Sequence, residues 1–295
     1  IEGSMTIKPW LLASRPKTLP AALAPVLIGT AMAFADGKVH WLSAALAALG
    51  ALMIQIGTNY ANDYFDFVKG SDAHDRLGPT RATAAGWVTP QAMKRAYMIV
   101  FGLAALAGLY LLWRAGWPVL VIGIFSVAAG IMYTGGPFPL GYNGLGEVFV
   151  FIFFGLVAVG GTYYVQALQI NWLVVIAGIA PGLFSTAILT VNNLRDVRED
   201  RRSGKHTLPV VWGERFGRLE YVLSVVLACL VPIVLVLLTG AHYFSIAAVF
   251  AGFLAIPSIR ILYREQPGRI YNSVLAQTGK VLLVYSILFS IGWIL

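Results

Sequence analysis

The stretch Trp172 to Asp200, WLVVIAGIAPGLFSTAILTVNNLRDVRED, decides how the chain is read. From Trp172 to Leu194 it carries no charge, long enough for one helix to cross a hydrocarbon layer of about 30 Å. It then turns polar within a few residues. Asn192, Asp196 and Asp200 are spaced by four, which predicts that they share one side of a helix end. A related pattern lies earlier, Asn59-Tyr-Ala-Asn62-Asp63-Tyr-Phe-Asp66, again where an apolar run gives out. Both begin as apolar membrane-length segments and end in amide and carboxylate groups.

The rest of the composition agrees with the apolar half of that stretch. The chain of 295 residues is 58% hydrophobic and 12% charged, with mean hydropathy +0.76. A soluble domain carries about 25% charged residues, so this is membrane-protein composition. The single cysteine, Cys229, sits in an apolar run and excludes disulfides and a thiolate metal site. Residues 1–4, Ile-Glu-Gly-Ser before Met5, read as an expression scar, leaving 5–295 as one transmembrane domain. No cleavable signal peptide is expected.

Nine candidate spans follow: 18–36, 42–65, 94–113, 117–134, 146–167, 172–194, 220–239, 243–262 and 276–295. They predict an all-α bundle. With a cytoplasmic N-terminus, 19 of the 21 basic residues fall on the cytoplasmic side, and only Lys38 and Arg114 fall outside. That is the positive-inside pattern, and it explains the net charge of +8 better than a nucleic-acid partner does. An odd number of spans then puts the C-terminus outside. Two charged cytoplasmic loops, 67–93 and 201–219, are expected, with short outer connections.

Orientation does not require the acidic residues on that same side. Each cluster ends a helix, where the negative end of the helix dipole disfavours carboxylates unless cations compensate. A solvated face pairing with nearby arginines is the bland reading. The recurrence of Asn-xxx-Asp in both clusters favours a shared site instead. Carboxylate and amide oxygens suit Mg²⁺ bound jointly with substrate phosphates, so a diphosphate is the expected ligand. Lys69, Arg76, Arg81, Arg198 and Lys205 are the basic candidates to hold it. No Gly-Lys-Ser/Thr phosphate loop is present, so nucleotide hydrolysis lacks its usual cradle.

Several segments together resemble one family. They are Ser14-Arg-Pro-Lys-Thr-Leu-Pro20; Asn59 to Asp66 running on to Lys69-Gly-Ser-Asp72; Tyr133-Thr-Gly-Gly-Pro137 with Gly144-Leu-Gly-Glu147; and Asn192-Asn-Leu-Arg-Asp196 through Gly204-Lys-His-Thr-Leu208. They resemble the UbiA-type intramembrane prenyltransferases, in the branch that acts on 1,4-dihydroxy-2-naphthoate in menaquinone synthesis. The resemblance implies a central cavity open to the cytoplasmic side of a bacterial inner membrane. It implies transfer of a polyprenyl group from polyprenyl diphosphate to the naphthoate, with Mg²⁺ as cofactor and loss of CO₂ and diphosphate. By the family pattern Asn59, Asn62, Asp63, Asp66, Asn192, Asp196 and Asp200 would hold metal, with the four aspartates catalytic. The chain departs from the family at Gly70, where a third Asp often stands, leaving Asp63 or Asp72 as substitutes. Other acceptors, such as 4-hydroxybenzoate or homogentisate, and a phytyl donor remain open.

Three further residues are read two ways. Tyr133 is either an interfacial anchor or a ring that shields an allylic cation or bonds a phosphate. Arg15 and Lys17 are either positive-inside charges or ligands for the acceptor's carboxylate. A transporter is disfavoured, because its ionisable groups tend to sit at mid-membrane, whereas here nearly all lie at one end of the spans.

Overall fold

The computed structural model describes residues 7–70 and 77–295, and every regular element among them is helical. Residues 1–4, and the candidates Asp72 and Arg76, lie outside the described residues. The elements are α1 (Ile7–Ala13), α2 (Pro20–Ala35), α3 (Trp41–Val68), α4 (Pro90–Ala115), α5 (Trp117–Met132), α6 (Gly146–Phe151), α7 (Ala158–Ala167), α8 (Trp172–Arg195), α9 (Val197–Arg202), α10 (Leu208–Trp212), α11 (Glu214–Thr239), α12 (Ile256–Arg264) and α13 (Tyr271–Ile294). A π turn, Ile152–Val157, joins α6 to α7, and a 3₁₀ segment, Tyr243–Ala255, leads into α12.

Among the described residues seven helices are long and apolar enough to cross a membrane. An eighth crossing exists if the pair Ile7–Thr18 and Pro20–Ala35, bent by 52°, is one span. The ninth expected segment is α5, apolar but only 16 residues long. The loop expected over 201–219 is largely helical instead. It holds α10, and α11 starts at Glu214, so Arg215 and Arg218 ride on its first two turns. The last helix likewise begins at Tyr271 rather than 276. Both early turns are polar, which hydropathy alone reads as loop.

Helix α8 is the most buried span, and small residues let its neighbours approach it. A methyl group on Gly155 of the π turn would stand 2.5 Å from the Gly178 carbonyl oxygen, and one on Gly182 would stand 2.7 Å from the Phe151 oxygen. The π turn is the local rearrangement at that crossing. One aromatic and aliphatic core, with Phe184, Tyr285, Phe289 and Trp293, ties α8 to α11, α13 and α2. A second, around Tyr60, Met93, Tyr97 and Phe101, joins α3 to α4. Exposed Trp41, Trp113, Trp117 and Trp172 mark the helix ends remote from the motifs, and Trp87 and Trp212 mark the motif end. Such rings suit the two membrane interfaces.

Candidate active site

The ends of α3 and α8 meet across a polar cavity of about 70 Å³. Asn62 and Asp66 reach it from α3, and Asn192, Asp196 and Asp200 from the end of α8 and from α9. Arg15, Arg81, Tyr133, Tyr142, Asn193, Glu199, Lys205 and Thr207 also line it. The α3 motif divides between two faces of its helix, as a rotation of about 100° per residue requires. Asn62 and Asp66 face the cavity; Asn59 and Asp63 face neighbouring chain. Asn59 donates its amide to the Ser14 carbonyl at 2.9 Å. Asp63 accepts from the backbone N–H of Ala82 at 2.9 Å and of Thr83 at 3.0 Å. Asp63 therefore anchors the loop that carries Arg81, and Asn59 and Asp63, candidates for metal, border no part of this cavity.

The carboxylates are met by cations of the chain itself. Asp66 pairs with Arg81 and accepts from the Tyr142 hydroxyl at 2.7 Å. Lys205 lies 3.3 Å from Asp200. Arg195, only 1% exposed, forks onto Asp196 at 2.6 and 2.7 Å. It also donates to the Asn192 side chain at 2.8 Å and to Asn272 of α13 at 2.8 Å. Asn272 in turn donates to the Leu77 carbonyl at 2.9 Å. A side chain from the last helix thus ties the second motif to the loop beyond the first. Asn193 bonds the buried Glu147 at 2.7 Å.

Of the basic candidates, Arg81 and Lys205 are in the cavity wall. Lys69 stands beside it, bonded to the carbonyls of Thr134 at 2.6 Å and Gly136 at 3.2 Å. Partial desolvation lowers its ammonium below the usual lysine value, and the Asp66 charge acts the other way. Arg198 turns outward and bonds Gln266 at 3.2 Å, so the structure does not bring it in. Lys17 is exposed and away from the wall, whereas Arg15 enters it. Arg15 has φ 52°, a left-handed conformation that a side chain of its size rarely adopts. It sits at the bend before α2.

Beneath the polar cavity lies an apolar chamber of about 720 Å³, lined by α2 to α7. Small residues, Gly50, Ala104, Gly108, Gly123 and Ala158 among them, leave the space that larger side chains would fill. Tyr133 borders both volumes. A charged cup set on an apolar chamber within a bundle of membrane-length helices fits an amphiphile with an anionic head and a hydrocarbon tail.

These features define an integral membrane protein built to hold a lipid-like anion. The chain belongs to the UbiA prenyltransferase family, whose model matches residues 22–289. It is 39% identical to the 1,4-dihydroxy-2-naphthoate octaprenyltransferase of Escherichia coli K12, over 96% of this chain and 94% of that protein. It is also 39% identical to the protein of the same name in Mycobacterium tuberculosis, over 94% of each. In fold it matches the apo structure of a UbiA homologue from Aeropyrum pernix, at 15% identity and TM-score 0.70 over 94% of this chain and 97% of that one. It likewise matches a UbiA homologue from Archaeoglobus fulgidus bound to GPP and Mg²⁺, at 14% identity and TM-score 0.68 over 97% and 99%.

Three residues at the site are given no role by the sequence: Tyr142, Thr207 and Asn272. Tyr142 and Thr207 stand within quoted segments or next to them, but only their contacts single them out. The Thr207 hydroxyl, 3% exposed, has no hydrogen-bond partner among the described residues although it borders the polar cavity. A buried hydroxyl without a partner is costly, and an oxygen-rich ligand would satisfy it.

Among the described residues no three His, Cys, Asp or Glu side chains converge into a ready metal cage. The donors around the cavity are nonetheless all hard oxygens, those of Asn62, Asn192, Asn193, Asp66, Asp196, Glu199 and Asp200 among them. That set fits Mg²⁺ held partly by a substrate's phosphates rather than by the protein alone.

Proposed function

We propose that the protein transfers a polyprenyl group from polyprenyl diphosphate to 1,4-dihydroxy-2-naphthoate. The carbon–oxygen bond to the diphosphate breaks, a carbon–carbon bond to the ring forms, and the ring carboxylate leaves as CO₂. The observation that carries this reading is Tyr133, which lines both the charged cup and the apolar chamber. That junction is where the first carbon of an allylic diphosphate would lie. The names of the 39% identical relatives support the naphthoate as acceptor.

Asn62, Asp66, Asn192, Asp196 and Asp200 would hold Mg²⁺, which when bound offsets the charge of the diphosphate leaving group. Arg81 and Lys205 bind the diphosphate oxygens, with Thr207 donating a hydrogen bond. The chamber excludes water from the reacting carbon, so a cation forming there meets the ring before a solvent molecule. The Tyr133 ring faces that carbon and stabilises positive charge through its π face. Arg15, in the same wall, is placed for the acceptor's carboxylate.

The protein is read as one domain crossing a bacterial cytoplasmic membrane nine times, with the N-terminus and the cup cytoplasmic and the C-terminus outside. The one-sided distribution of basic residues supports that orientation. The deciding experiment gives purified protein the naphthoate, a polyprenyl diphosphate and Mg²⁺. Release of CO₂ and diphosphate together with prenylated product is expected, and chelation should stop it. Prenylation of 4-hydroxybenzoate with the naphthoate left untouched would overturn the acceptor assignment.

A further inference from the structure

Tyr142 touches both motif arms. Its hydroxyl donates to Asp66 at 2.7 Å, and the ammonium groups of Lys205 and Lys69 lie 4.7 and 5.2 Å from its ring centroid. Lys205 also pairs with Asp200 at 3.3 Å. A continuous chain, Asp66 to Tyr142 to Lys205 to Asp200, therefore spans the cup from one motif to the other. Neither lysine approaches the ring by chance of a long side chain alone. Lys69 is bonded to two carbonyls of the loop that carries Tyr142. The backbone beside Lys205 is bonded to Tyr142 itself, through the His206 N–H and the Tyr142 carbonyl at 2.7 Å. Two ammonium groups this near one site repel each other. The negative face of an aromatic ring offsets that repulsion without consuming the donors that a phosphate needs.

We infer that Tyr142 is a positioning residue that couples the two motifs, its hydroxyl setting the Asp66 carboxylate and its ring holding Lys69 and Lys205 over the diphosphate. This rests on the diphosphate reading of the cup. The two parts of the side chain then have separable effects. Losing the hydroxyl removes one of the bonds that set Asp66, which stays paired with Arg81, and weakens Mg²⁺ binding; losing the ring also releases the lysines that grip the diphosphate.

The test uses the full-length protein in detergent, with magnesium pyrophosphate as the probe, titrated calorimetrically without any acceptor. Y142F is expected to bind it about tenfold more weakly than the parent, the loss of one charge-assisted hydrogen bond. Y142L is expected to lose a further factor of about 5–30, the loss of two cation–π contacts. In steady-state assays both should raise the Mg²⁺ half-saturation and the KM for prenyl diphosphate while leaving the KM for the naphthoate unchanged. Y142L made in a K205M background should add less than it does alone. Parental pyrophosphate affinity in both variants would overturn the inference, as would a KM rise shared equally by donor and acceptor. Y142L no weaker than Y142F would remove the ring's role. Y142F and K205M carry the test by themselves if Y142L does not fold. A parent protein that binds no magnesium pyrophosphate would overturn the diphosphate reading itself, a result distinct from variants that merely match the parent.

Discussion

Arg195 changes what a substitution at Asp196 means. The four-residue spacing marks Asp196 as a ligand whose removal should stop the reaction. The structure adds that Asp196 is the bidentate partner of an arginine buried to 1% exposure. Truncating it to alanine leaves that charge paired only with two amides, and an uncompensated buried charge costs about 3–5 kcal/mol. D196A is therefore expected to lose both activity and thermal stability. D196N keeps the shape but only one of the two acceptors and no charge, so it should lower turnover by about 100-fold or more with a smaller loss of melting temperature than D196A. Equal melting losses in the two variants would contradict this account of Arg195. Asp63 gives the opposite case. Both its oxygens hold the backbone of the Arg81 loop, so D63A should act through that loop. The expected result is a KM for prenyl diphosphate raised about tenfold, with kcat changed much less. A loss confined to kcat would return Asp63 to the metal-ligand set.

At the scale of the helices, the crossing of α8 with the π turn is held by glycine rather than by side-chain complementarity. A side chain at Gly182 would enter the Phe151 carbonyl, and no rotamer change relieves a clash at Cβ. G182L is expected to lower the thermal midpoint in detergent by an overpacking cost of about 1–3 kcal/mol or more. An unshifted midpoint would show that the two helices separate freely there. Most helix positions were legible in the sequence because hydropathy measures what the bilayer requires: 146–167 and 172–194 match their helices almost residue for residue. Hydropathy failed at the polar first turns of α11 and α13, which are helical in the aqueous boundary. The spacing of Asn192, Asp196 and Asp200 identified one wall of the cup. In α3 the same spacing occurs twice, in Asn59 with Asp63 and in Asn62 with Asp66, and sequence offers no means of choosing the inward pair. Asn272 was invisible because its role is a contact with residues 77 and 195, far off along the chain.

For the whole molecule, the cup and the chamber are separate volumes that meet at Tyr133, so head-group chemistry and tail length should be separable by mutation. Gly108 of α4 lines the chamber and has nothing within 4 Å of where its Cβ would stand. A large side chain there projects into empty space rather than into a neighbouring helix, which distinguishes it from Gly182. Filling the chamber removes room for the distal isoprene units and leaves the carboxylates, Arg81 and Lys205 untouched. G108F is therefore expected to keep the parental melting temperature and the parental Mg²⁺ half-saturation. It should retain turnover with a short donor such as geranyl diphosphate and lose about tenfold or more in kcat/KM with a long polyprenyl diphosphate. The measurement is a donor-length series on parent and variant, with product mass read for each. A uniform loss across all donor lengths would mean that the tail does not occupy this chamber. An unchanged series would mean that the tail leaves it sideways into the lipid before reaching α4.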